Sequence, residues 1–267
     1  MRARGIRSYH RPGRLEEALA LLAQGAVPVG GGTRLFAEAR DLPNLLDLQA
    51  LELGGITLED GDLLLGASVP LQDVLDSDAA HATTAGLLPA ACRAQSPSRM
   101  LRGMATVAGE AVYGAPDSAV AAALLALNAV FVIAHPQEPR ESPALRFVQK
   151  PDEDLRGGGL VQRVLIPGAP DGAALERASV LPSAPPLALV AVTVAFSGEK
   201  CSRARIAVAC LQGRPQRVLE AEAQVERTAA DEADLERAAD EAARLPEIPG
   251  DDAASLAYRR HLVRVLT

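Results

Sequence analysis

Val27-Pro28-Val29-Gly30-Gly31-Gly32-Thr33-Arg34-Leu35 is the stretch whose reading decides the fold. Short β-favouring residues run into three successive glycines, and the helix-favouring segment Leu35-Phe36-Ala37-Glu38-Ala39-Arg40 follows. Three glycines after a strand let backbone N–H groups turn towards one point, because no Cβ blocks the φ > 0 conformations required. Such a concavity at a helix start suits a phosphate. A tight strand-to-helix turn with no ligand accounts for the same residues. The stretch is neither a Rossmann fingerprint nor a P-loop, since the G-x-G-x-x-G spacing and a following Gly-Lys-Ser/Thr are both absent.

Upstream, Ile6 to Pro12 reads as a short strand, and Leu15 to Leu22 places apolar residues at helical spacing with Gly25 as the stop. Strand, helix, strand is a βαβ opening, so the glycine turn belongs at a strand's C-terminal end, where open α/β sheets bind ligands. Downstream, Leu45 to Leu48 reads as a strand, and Ile56 to Ala67 with Asp60-Gly61 at its centre as a hairpin. Helical segments are expected at Leu71 to Leu75 and Ala85 to Ala94. Arg102 to Glu110 forms a second glycine-bearing turn, with a hydroxyl at Thr106 able to meet a phosphate oxygen. An apolar helix from Ala119 to Leu127 and strands at Val130 to Ile133 and Val161 to Ile166 close this region. After Gly172 come two strands, Leu187 to Phe196 and Ala204 to Ala209, and then three charged amphipathic helices. Strands followed by helices read as a separate α+β lobe.

The 267 residues suffice for one large domain or two modest ones, and 48% hydrophobic with 23% charged residues is ordinary for a globular protein. With no Trp, three Tyr and four Phe, stacked-ring binding of single-stranded nucleic acid is disfavoured. The formal charge of −7 argues against nucleic acid more broadly. Cys92, Cys201 and Cys210 are too dispersed for an iron–sulfur or zinc site and read as buried apolar thiols in a reducing compartment. No signal-peptide core follows Met1, and no apolar run reaches the roughly 20 residues of a membrane span, so a cytoplasmic location is expected.

Catalytic side chains leave no trace. His10, His81, His135 and His261 are scattered, and neither a G-x-S-x-G elbow nor an HExxH helix occurs. What remains is a pair of glycine-bearing turns far apart in sequence. Meeting on one pyrophosphate, they would form a dinucleotide site in which the cofactor supplies the chemistry.

At this point the residues resemble a family: the FAD-binding (medium) subunit of the molybdenum hydroxylases, which include carbon monoxide dehydrogenase and xanthine dehydrogenase. Tyr9-His10-Arg11-Pro12 with Leu15-Glu16-Glu17-Ala18 is similar to the family's Y-x-R-P…L-E-E-A opening. Gly30 to Leu35 is similar to its A-G-G-T-D-L pyrophosphate loop, and Pro43 to Leu48 to its P-x-x-L-I-D-L. Arg102 to Glu110 lies where the family has R-N-x-A-T-I-G-G-N, its second FAD loop. Ala204 to Val208 and Tyr258 to Leu262 resemble segments of its C-terminal domain, so the likeness runs essentially end to end.

The resemblance implies an α/β plus α+β architecture: a two-lobed FAD-binding domain of the molybdopterin-dehydrogenase (PCMH-like) type over about 1–168, with lobes near 1–54 and 55–168. A carbon monoxide dehydrogenase flavoprotein-like domain over 173–267 would follow. It implies FAD bound by Gly30, Gly31, Gly32, Thr33, Arg34, Leu35, Thr106, Ala108, Gly109, Glu110, Asp117 and Val161. It also implies an electron-transfer role beside a molybdopterin-binding large subunit and a [2Fe-2S] small subunit, with NAD, a quinone or another acceptor. The same resemblance admits an FAD-free structural or assembly subunit, or a stand-alone flavin enzyme. Departures from the pattern are concentrated at contact positions. Arg34 replaces an acid or Ser, Ala108 a Gly, Glu110 the Asn of G-G-N, and Ala119 a ribose-binding Asp for which Asp117 can stand. Gly159 replaces an acid, and Glu176 a Lys near the flavin. A carboxylate at 110 is expected to face the phosphates unless it turns outward, opposing tight binding.

Overall fold

A computed structural model of the chain describes residues 5–37, 41–181 and 184–267. Its three sheets succeed one another along the sequence. The first is small and parallel, with β1 (Ser8–His10) and β2 (Val27–Val29) flanking β3 (Asn44–Asp47), and α1 (Leu15–Ala23) makes the crossover. The expected βαβ opening is therefore present, and the glycines leave the C-terminal end of β2.

The second sheet is antiparallel. Its hairpin pairs β4 (Ile56–Glu59) with β5 (Asp62–Gly66) through Asp60 and Gly61, both at positive φ (52° and 90°), as a tight two-residue turn demands. The chain then runs through α2 (Leu71–Leu75), α3 (Asp78–Thr83), α4 (Leu87–Gln95), α5 (Arg99–Arg102), α6 (Val107–Tyr113) and α7 (Ala119–Ala126). It returns as β6 (Val130–Ala134), β7 (Arg140–Pro143), α8 (Ala144–Phe147), α9 (Pro151–Leu155) and β8 (Leu160–Ile166), giving the strand order β4-β5-β8-β6-β7. The core is aliphatic, with one stacked aromatic pair, Phe131 on Phe147, at 4.0 Å between ring centroids.

The third sheet is antiparallel, ordered β12-β11-β10-β9, from β9 (Gly172–Ala178), β10 (Ala188–Ser197), β11 (Lys200–Ala209) and β12 (Gln216–Arg217). Helices α10 (Leu219–Val225), α11 (Glu232–Ala242) and α12 (Leu256–Leu266) cover one face, where Ala188, Val190, Ile206 and Val208 pack. The other face turns Leu189, Ala191, Ala207 and Ala209 into the core that contains α7. The expected run of strands and then helices is present in this α+β C-terminal region, and the second face of its sheet packs on the core of the region before it. Successive apolar residues along β10 and β11 need cover on both faces, and α7 supplies the second. Every residue of α7 is buried, and its last carbonyl, that of Ala126, accepts a hydrogen bond from Thr193 Oγ1 at 2.7 Å.

Candidate functional site

The two glycine-bearing turns, 70 and more residues apart in sequence, lie against each other. A Cβ built on Gly31 would stand 1.6 Å from the Met104 carbonyl oxygen, and one on Gly30 would stand 3.3 Å from Thr106 Oγ1. Only glycine allows the first approach. Gly32 sits at φ +69°, in the left-handed region that a side chain resists. Among the described residues, the amides of Gly31, Gly32, Thr33 and Arg34 have no hydrogen-bond partner within the chain, and all four residues are half-buried. Four consecutive donors without partners form a cradle for anionic oxygens.

The segment after the glycines is a turn over 33–37, closed by Phe36 N–H to the Gly32 carbonyl (3.0 Å) and Ala37 N–H to the Arg34 carbonyl (3.1 Å). The helix expected from Leu35 is thus absent over the described part; Glu38, Ala39 and Arg40 lie outside the described residues. Leu35 is half-buried in that turn.

The second turn is the lead-in to a helix. Thr106 caps α6, its Oγ1 accepting from Gly109 N–H at 3.1 Å, so this hydroxyl already has a structural duty. Ala108 and Val161 turn their side chains into the core (4% exposed each), leaving only main-chain atoms to meet a ligand. Gly109 is exposed.

Glu110 differs from expectation. Its side chain turns inward and is 3% exposed, neither facing solvent nor lacking partners. Arg34 Nε donates to both carboxylate oxygens at 3.2 Å, Arg34 Nη2 donates to Oε2 at 3.0 Å, and Gln95 Nε2 donates to Oε2 at 2.9 Å. The Arg34 guanidinium also lies 5.2 Å from the centroid of the Tyr113 ring. Burial works against the charge on Arg34, but the hydrogen bonds and field of Glu110, with the field of Asp117, outweigh it and hold its pKa above the ordinary value. Asp117 is thereby near Arg34, in the loop between α6 and α7. Glu176 is exposed on β9 opposite Val190.

Arg214 was not singled out by sequence. From the third sheet's surroundings it reaches the C-terminal end of α6, donating to the carbonyls of Val112 (3.0 Å) and Ala111 (3.4 Å), and to that of Val148, which caps α8 (3.1 Å). Gly114 at φ +59° makes room, since a Cβ there would fall 1.8 Å from Arg214 Nη1. A cation on terminal helix carbonyls is favourable, and it ties the far end of the cradle's helix to the C-terminal region.

The described residues hold no group of three or more His, Cys, Asp or Glu able to bind a metal ion, and no helix long and apolar enough to cross a membrane. The site's chemistry is that of backbone donors and one neutralised ion pair, which fits a diphosphate.

Comparison with known proteins agrees. A family model described as FAD binding domain in molybdopterin dehydrogenase matches residues 4–169, and one described as CO dehydrogenase flavoprotein C-terminal domain matches 183–267. The carbon monoxide dehydrogenase medium chain of Afipia carboxidovorans is 26% identical over 273 residues, covering 98% of this chain and 94% of that one. The glyceraldehyde dehydrogenase medium chain of Sulfolobus acidocaldarius is 27% identical, covering 97% and 95%. Among solved structures, a chain of carbon monoxide dehydrogenase from Hydrogenophaga pseudoflava, in a form lacking the Mo-pyranopterin moiety, superposes with a TM-score of 0.91 at 25% identity, over 100% of this chain and 96% of that one. The chain therefore belongs to the FAD-binding medium subunits of the molybdopterin dehydrogenases, a family of oxidoreductase subunits.

Proposed function

We propose that this chain is the electron-transfer subunit of a molybdenum-containing hydroxylase or dehydrogenase. A molybdopterin-binding large subunit and a [2Fe-2S] small subunit carry the other centres. The observation that carries the reading is the contact of the Gly30–Gly32 turn with Met104 and Thr106, beside four amides that have no partner in the chain. In this reading Gly30, Gly31, Gly32, Thr33, Arg34, Leu35, Thr106, Ala108, Gly109, Glu110, Asp117 and Val161 surround FAD. The amides of Gly31 to Arg34 hold its pyrophosphate, and Asp117 serves the ribose in place of the acid missing at Ala119. When bound, FAD supplies a redox centre able to exchange electrons with the clusters of a partner and with an acceptor such as NAD or a quinone. The chain's own contribution is to bind and orient; the reading gives none of its side chains a proton to move. Medium chains of carbon monoxide and glyceraldehyde dehydrogenases of nearly the same length support a subunit role over a stand-alone enzyme.

The test is purification with the co-expressed partner subunits. A yellow complex whose flavin absorption bleaches on adding the complex's substrate is expected. A colourless complex that takes up no added FAD yet retains activity would refute the reading and leave an assembly subunit.

A further inference from the structure

Two of the departures from the family pattern are 76 residues apart in sequence and in direct contact in the fold. Arg34 stands where the family carries an acid or Ser, and Glu110 where it carries Asn. Each alone alters the charge beside a phosphate cradle; together they cancel.

We propose that Arg34 and Glu110 form a charge-exchanged clasp across the two turns, in which Glu110 positions Arg34 so that the guanidinium's second edge takes the pyrophosphate of FAD. The proposal rests on the FAD cradle described above.

Three facts carry it. A guanidinium has two edges able to grip an oxyanion, Nε with one terminal nitrogen and the pair of terminal nitrogens. Glu110 occupies the Nε/Nη2 edge, and among the described residues Nη1 has no hydrogen-bond partner. The pair is also asymmetric in burial: the Glu110 side chain is 3% exposed and that of Arg34 36%. The anion lies inside and the cation is presented. Finally, the carboxylate is fixed from behind. Gln95 Oε1 accepts from Val120 N–H (3.1 Å) and Ser118 Oγ (3.3 Å), which commits the Gln95 amide nitrogen to Glu110 Oε2. Glu110 therefore has little freedom to swing towards a bound phosphate, and Arg34 is aimed with few rotamers left to lose.

The test is equilibrium titration of the full chain with FAD, with riboflavin as a phosphate-free probe and inorganic pyrophosphate as competitor, each variant checked for a wild-type circular dichroism spectrum. Arg34→Gln removes the cation and strands a buried carboxylate, so FAD binding should weaken about ten- to a hundredfold. Riboflavin binding should stay within about twofold of wild type, the size of effect expected for a pair that touches only phosphate. Arg34→Lys keeps the charge but replaces the two planar edges with a compact ammonium that cannot hold Glu110 and a phosphate bidentately at once, and should still lose about tenfold. The neutral pair Arg34→Gln/Glu110→Gln removes the stranded charge and should recover part of the loss, so that the two effects do not add. It also serves if Arg34→Gln alone fails to fold. The inhibition constant of pyrophosphate should rise once Arg34 is replaced, by about the same factor as the dissociation constant of FAD. If wild type binds FAD and both Arg34→Lys and the neutral pair bind it equally well, the pair is structural only and the clasp is wrong while the cradle stands. A wild-type chain that binds no FAD, alone or with its partners, removes the cradle and the clasp with it.

Discussion

Replacing Gly31 with Ala tests the cradle where it is tightest. The added methyl would stand 1.6 Å from the Met104 carbonyl oxygen, 2.4 Å from its carbon and 3.1 Å from Ala105 N. All three are backbone atoms, so no side-chain rotation relieves the overlap. Restoring ordinary contact near 3.4 Å requires one turn to retreat by roughly 1.8 Å. Overpacking of this kind costs about 1–3 kcal/mol of stability. The same retreat separates two sets of donors that must meet one diphosphate. Losing one charge-assisted hydrogen bond costs about 1.5–3 kcal/mol, which is about ten- to a hundredfold in affinity. Titration of the full chain with FAD, followed by quenching of flavin fluorescence, reads this directly. Gly54→Ala is the matched control, since a Cβ there meets nothing within 4 Å, and its affinity should equal wild type. A Gly31→Ala chain that melts like wild type and binds FAD equally well would refute the claim that the two turns act as one site.

Arg214→Ala should lower stability by about 2 kcal/mol, because it withdraws a partly buried cation from two carbonyls of α6 and one at the end of α8; an unchanged urea midpoint would count against the clamp. Leu124→Ala should cost about 2–5 kcal/mol and still unfold in a single step, since Leu124 is fully buried in α7, which both larger sheets share; two resolved transitions would show that the sheets fold independently. Burial raises the thiol pKa of Cys92 and that of Cys210, the latter from 9.0 to about 12. Because the folded value is the higher one, the protonated Cys210 thiol contributes stability in full below pH 9, and that contribution is lost as pH rises towards about 12. A thiol reagent at pH 8 should accordingly label these two cysteines only at the rate of unfolding, and prompt labelling would overturn their placement in the core.

Short-range patterns account for what was readable. Val27 to Val29 followed by three glycines, the Asp60-Gly61 hairpin and the uniformly apolar helix at Ala119 each carry their structure within a few residues. What escaped depends on distant partners. The Gly172–Ala178 segment has no β-branched residue and becomes a strand by pairing with β10. Arg140–Pro143 is charged and ends in Pro, and pairs with β6 at the sheet's edge. At the site, the positions of both turns were readable, but the fate of Glu110 was not. Taken singly it is a carboxylate in an anion cradle, and only the fold shows that Arg34 and Gln95 draw it inward. The turn at 33–37 in place of a helix has the same origin, since local propensity is weak against the packing of the glycines on Met104.

Because α7 is walled in by polypeptide on both sides, the two stretches that family models recognise are not interchangeable cassettes. A protease nick between Pro167 and Gly172 should leave halves that stay clasped through native purification. A gene cut at the same place should fare otherwise: its N-terminal product would emerge with the flank that Leu189, Ala191, Ala207 and Ala209 shield laid bare, and would be recovered from inclusion bodies.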